Sequence, residues 1–354
     1  MTATTPSKES FGSFVSKILS GTATAIVVAL IPNAILATFL KPLLPNAAAA
    51  EFLHIVQVFQ FFTPIMAGFL IGQQFKFNPM QQLAVGGAAY IGSGAWAYTE
   101  VIQKGTVVGT FQLKGIGDLI NMMLTAALAV LAVKWFGDKL GSLTIILLPI
   151  LIGTGVGYIG WKLLPYVSYV TTLIGQGINS FTTLQPFMMS ILIAIAFALL
   201  IVSPISTVAI GLAIGLNGMA AGAASMGIAS TTAVLVWATL KVNKSGVPLA
   251  IALGAMKMMM PNFLKHPVMA IPMVVTATLS SLSVPIFNLV GTPASSGFGL
   301  VGAVGPIASL AGGSNIVIIL IAWLLIPFGL GFVAHYICKN VLKLYQDAIF
   351  IFEG

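Results

Sequence analysis

Only 6% of the residues in this chain carry charge, whereas soluble domains use roughly 25% to cover a water-facing surface. With 58% hydrophobic residues over 354 positions, the chain has to lie in a membrane. At roughly 20 residues per crossing helix plus loops, about ten spans fit. The expected fold is therefore all-α, a polytopic integral membrane protein in one domain over residues 1–354. No separate soluble domain and no internal repeat stand out.

All fifteen basic residues are lysine, and the net charge is +8. The lysines stand singly or in pairs between apolar runs, a pattern of positive-inside loop markers rather than a nucleic-acid surface. Lys8 and Lys17 place the tail, residues 1–20, in the cytoplasm, and Lys339 with Lys343 do the same for the C-terminus. Lys104 and Lys114 would face outside, so the rule is obeyed in part. The lack of arginine argues against a bidentate clamp on carboxylate or phosphate. Cys338 is the single cysteine, which excludes an intrachain disulfide. His54, His266 and His335 show no metal-ligand spacing, so neither metal nor cofactor is expected.

The first apolar run, TATAIVVALIPNAILATFLKPLLP, is too long for a signal h-region and reads as a retained span. Further spans are expected at 52–74, 81–99, 118–136, 142–162, 186–203, 205–223 with 225–241, 247–260, 268–285 and 314–337. The run 164–183 has polar residues through its middle. It suits either a helix lining a cavity or an amphipathic helix at the interface. In 100–117, alternating β-branched residues suit a short hairpin.

Glycines at four-residue spacing in 211–230, and small residues in 85–99, suit close helix packing. Asn217 could instead face a ligand from a broken helix. Ionisable residues inside apolar runs are costly and invite a functional reading. Lys257 is one; it either snorkels to the headgroups or contacts substrate. Asp118, just before an apolar run, reads as a helix cap, and Glu51 and Glu100 read as interfacial. Amides are more plentiful at apparent membrane depth, among them Asn33, Gln60, Asn121 and Asn262. Amides and hydroxyls with few charges suit a neutral polyhydroxylated ligand such as a sugar.

The stretch GTPASSGFGLVGAVGP at 291–306 breaks any helix. Unpaired backbone groups cost several kcal/mol each in hydrocarbon, so the stretch must be buried in protein or line a cavity. A re-entrant segment over 286–306 is expected, with Thr292, Ser295, Ser296 and Gly297 lining a substrate site. Lys257 and Asn262 are the next candidates, followed by Asn33 and Asn121.

Three stretches, GTPASSGFGLVGAVGPIASL at 291–310, GDLINMMLTAALAV at 117–130 and KMMMPNFLKHPVMAIP at 257–272, resemble phosphotransferase-system enzyme IIC proteins. The branch is the one that includes the perfringolysin regulator-like membrane proteins, and the resemblance runs from about residue 15 to 345. It implies a homodimeric sugar permease in the bacterial plasma membrane, with re-entrant hairpins. It also implies a separate enzyme IIB partner that phosphorylates the sugar, because no IIA or IIB domain is appended and Cys338 is no credible phospho-carrier. Better-known sugar-specific members carry a Gly-Ile-Thr-Glu motif whose glutamate contacts the sugar, and this chain has no such motif. A secondary carrier of organic acids and a membrane sensor that does not transport are the rival readings.

Overall fold

The computed structural model describes residues 10–40, 43, 45–103, 106–136, 139–293 and 295–352; Lys8 and Lys104, used above for orientation, lie outside them. The chain opens with α1 (Phe11–Leu40), α2 (Ala47–Phe61), α3 (Thr63–Gln74) and α4 (Pro79–Ser93). Asn78 and Gln81 cap α4 reciprocally, each side chain accepting the other's backbone N–H at 3.0 and 3.1 Å. Gly94 ends the helix at φ +67, a left-handed conformation that glycine adopts without strain. The expected span 81–99 is therefore a 15-residue helix whose continuation is a strand. The hairpin expected near 100–117 is present as β1 (Trp96–Gln103) and β2 (Thr106–Leu113), paired antiparallel with Trp96 opposite Leu113.

After β2 come α5 (Leu119–Phe136) and α6 (Thr144–Phe181). The two separate elements expected over 142–162 and 164–183 form one 38-residue helix. It passes through a π-helical stretch, Pro149–Val156, and carries Pro165 in its interior. Proline is tolerated there because neighbouring groups and local widening absorb the lost hydrogen bond.

The second half is more broken. α7 (Pro186–Leu200) is followed by α8 (Thr207–Ala213) and the buried α9 (Gly218–Thr239). Then come α10 (Gly246–Leu253) and α11 (Met260–Lys265), separated at Gly254 with φ +128. This break replaces the span expected over 247–260. The chain ends with α12 (Pro267–Ile286), α13 (Val304–Ala311) and α14 (Ile316–Val341). Among the described residues, seven helices are long and apolar enough to cross a membrane, α2 and α3 counting as one run over Ala47–Gln74, and α7 and the stretch containing α13 are shorter apolar helices. The protein is an all-α polytopic membrane protein with one small hairpin.

Two hydrophobic cores hold it together. One gathers Ile26, Ile71, Val85, Met122, Val130 and Ile152 from α1 and α3–α6. The other gathers Phe197, Met226, Ile228, Met259, Met273 and Trp323, largely from α7, α9, α12 and α14. Lipid offers no hydrophobic drive between helices, so packing depends on small residues that let backbones approach. A Cβ on Gly68 would lie 2.7 Å from the Gly86 Cα, and one on Gly227 would lie 2.8 Å from the Ala194 carbonyl carbon. Gly227→Ala is expected to cost about 1–3 kcal/mol through overpacking. The thermal midpoint of the detergent-solubilised protein reads this directly, and an unchanged midpoint would mean that α7 and α9 have room to part.

Candidate functional site

Two unwound segments face each other in the second half. One runs from the end of α7 through α8 to Asn217; the other runs from Phe287 to Ala303. Gly218 and Gly291 join them as an antiparallel bridge, with N–H to O distances of 3.1 and 2.9 Å. The Thr207 hydroxyl donates to the Gly297 carbonyl at 2.9 Å, and the Ser225 hydroxyl donates to the Ser295 carbonyl at 2.8 Å. Backbone groups released by the glycines and prolines are thus re-paired inside the protein, as burial requires. The 291–306 stretch is no solvated loop: Gly291, Ser295, Ser296 and Gly297 are buried.

Next to this junction lies a cavity of about 640 Å³, within the roughly 300–1,000 Å³ typical of small-molecule sites. Its walls come from both cores, with Ile26 on one side and Ile201 and Ala255 on the other. Asn33, Gln60, Lys114 and Asp118 line it from the first half; Ser206, Lys257 and Gly297 line it from the second.

Lys257 sits in the turn between α10 and α11. Its ammonium donates to the Ser203 and Ile205 carbonyls at 2.5 and 2.8 Å. Those carbonyls lie just past the C-terminus of α7, where a cation is favoured by the helix dipole. An ammonium carries three N–H donors, so one remains for the cavity. Among the described residues Lys257 has no carboxylate partner. Across the cavity, Asp118 caps α5 by accepting the Asn121 N–H at 2.8 Å, as its position before the apolar run suggested. Its other oxygen accepts a long 3.4 Å hydrogen bond from Ser168. The Asn33 side-chain oxygen is buried and has no hydrogen-bond partner.

The eight residues singled out from the sequence therefore divide. Lys257, Asn33 and Gly297 meet at the cavity. Ser295 and Ser296 are buried outside its lining and Thr292 is exposed, with the hydroxyls of all three engaged locally. The Thr292 N–H donates to Ser295 Oγ at 2.8 Å, the Ser295 N–H donates to Thr292 Oγ1 at 3.1 Å, and Ser296 donates to the Pro293 carbonyl at 2.8 Å. Asn121 and Asn262 do not line the cavity. The Asn121 amide donates to the Gly92 and Gly160 carbonyls, at 2.5 and 2.8 Å, tying α4 and α6 to α5. The Asn262 amide donates to the Ile349 and Ile351 carbonyls, both at 2.8 Å, and holds down the C-terminal segment.

Asp118 and Ser168 were not read from the sequence as site residues. For Asp118 the signal was present, as an acid opening an apolar run, but its capping role absorbed it.

A cavity walled by broken helices between two apolar cores suits a membrane permease component. The chain matches the family described as phosphotransferase system, EIIC, over residues 16–352, and it belongs to that family. It is a multi-pass protein of the cell membrane. Neither a curated protein nor a solved structure matches it.

Proposed function

We propose that this enzyme IIC protein binds and translocates a sugar in the cavity between its two cores. Asp118 and the Asn33 oxygen accept hydrogen bonds from hydroxyls, and the free N–H of Lys257 donates one. Gly297 lets the backbone of the second broken segment approach the ligand. Thr292, Ser295 and Ser296 shape that segment, which we read as re-entrant. In the absence of a Gly-Ile-Thr-Glu motif, Asp118 is the carboxylate available to the sugar. A separate enzyme IIB delivers the phosphoryl group, and the permease works as a homodimer, as the family resemblance implies.

The observation that carries this reading is that Asn33, whose buried side-chain oxygen has no hydrogen-bond partner, lines the same cavity as Asp118 and Lys257. Uptake of labelled hexoses, hexitols and disaccharides, with and without the phosphotransferase components, tests it. Uptake that requires those components supports the reading, and uptake indifferent to them removes enzyme IIB from it. A second reading, a carrier of organic acids, draws on Lys257, whose ammonium lacks a carboxylate partner among the described residues. Adding small carboxylic acids to the same panel separates the two.

A further inference from the structure

The cavity just described does not stand alone. A second cavity, of about 430 Å³, shares Gly117, Asp118, Ser168, Ser206 and Ala209 with it. A third, of about 300 Å³, shares Ile214 with the second and reaches Asn179, Thr182 and Asn217. The three follow one another along α6. With 3.6 residues per turn, Ser168, Thr172, Gly175, Asn179 and Thr182 fall on a single face of that helix. Each of these lines the second or third cavity. The opposite face presents Tyr166, Val170 and Leu173, all exposed on the outer surface of the fold.

α8 and its flanks form the facing wall, with Ser206, Ile210 and Ile214. Two narrow points divide the row. At the first, Ser168 meets Asp118 at 3.4 Å, a weak contact that costs little to part. At the second, a Cβ on Gly175 would lie 3.2 Å from the Ile214 side chain, so glycine keeps the helices close there.

We infer that the polar face of α6 is the solute path between the central cavity and the far end of α8. Asp118 with Ser168 and Gly175 with Ile214 form its two constrictions. Every side chain that α6 and its C-terminal cap contribute to this row is neutral: Ser168, Thr171, Thr172, Gln176, Asn179 and Thr182. Beyond Asp118 such a lane suits a neutral hydroxylated solute, which exchanges hydrogen bonds with water for bonds to hydroxyls and amides. This places specificity along a helix as well as in the central cavity. It extends the sugar-permease reading, but the lane itself is testable without knowing the solute.

The buried Cys338 is first replaced by serine, leaving a background without cysteine. Single cysteines are then introduced at 168, 172 and 179 on the polar face and at 166, 170 and 173 on the opposite one. The probe is a membrane-impermeant cationic methanethiosulfonate, applied from the side on which Asn179→Cys reacts. The polar-face set is expected to react and the opposite set to stay protected. Adding Thr172→Trp, which plugs the lane midway, is expected to reduce the reaction at 168 to the level of the protected set while 179 reacts as before. Ala213→Trp, a plug from the facing wall, should do the same and covers the case in which the first variant fails to fold. Equal reaction on both faces would overturn the inference and mark α6 as an interfacial helix. A plugged protein that still reacts at 168 would also overturn it. Because no substrate enters the assay, failure here leaves the sugar reading to the uptake experiment.

Discussion

Gly297→Val is expected to abolish ligand binding and to lower the thermal midpoint. A Cβ at this position would lie 2.7 Å from the Thr207 carbonyl carbon and closer still to the backbone of Val208. Backbone cannot swing away as a side-chain tip can, so α8 itself must move. Overpacking of this kind costs about 1–3 kcal/mol, and the shift also breaks the hydrogen bond from Thr207 to the Gly297 carbonyl. The displaced residues Thr207 and Val208 are cavity wall, so the site loses shape together with stability. Size-exclusion profile, thermal midpoint and sugar binding on the same preparation check this. A variant with parental midpoint and binding would show that the two broken segments are not in register as described.

Lys257→Met carries the second large effect, and it acts through charge rather than volume. Methionine keeps much of the length and the apolar stem, but the Ser203 and Ile205 carbonyls lose their donor. An unpaired buried acceptor costs about 1–3 kcal/mol, so the unwound segment after α7 should loosen. The cavity also loses one of its two lysine donors, Lys114 being the other. Binding is expected to weaken by more than about tenfold, the roughly 1.4 kcal/mol lost with one charge-assisted hydrogen bond. Titration of the purified variant with a sugar that the parent binds measures it. An affinity within about twofold of the parent would leave Lys257 as a helix-end clamp that does not touch the ligand.

Much of the fold is legible in the chain because its signals are local. Scarce charge and long apolar runs identify a membrane protein. The alternation in 100–117 marks the hairpin, and glycine and proline mark both broken segments. The span boundaries were less legible. Gly94 and Gly254 stop helices through left-handed or unusual φ values, while Pro149 and Pro165 fail to stop α6. Nothing in the local pattern separates a proline that breaks a helix from one that its neighbours accommodate.

The site was half legible for a related reason. An asparagine in an apolar run must satisfy its amide somewhere, and sequence does not say whether a ligand or a distant carbonyl does so. Asn121 finds carbonyls 29 and 39 residues away, and Asn262 finds them 87 and 89 residues away. Asn33 lines the cavity, and its buried oxygen has no hydrogen-bond partner. Ser295 and Ser296 sit in the right segment, yet a turn-forming serine spends its hydroxyl on its own backbone. Asp118 shows the opposite case, a cap that also faces the cavity.

The central claim is that a sugar sits between the two cores against Asp118, and Asp118→Asn tests it most directly. Asparagine caps helices about as well as aspartate, so α5 and the fold should survive while the carboxylate charge is lost. Binding of hexoses, hexitols and disaccharides is measured on purified parent and variant. The expected result is saturable binding of at least one sugar to the parent, weakened by more than about tenfold in the variant at equal thermal midpoint. Sugar binding of unchanged affinity in Asp118→Asn, or a parent that binds no member of the panel, would contradict the account.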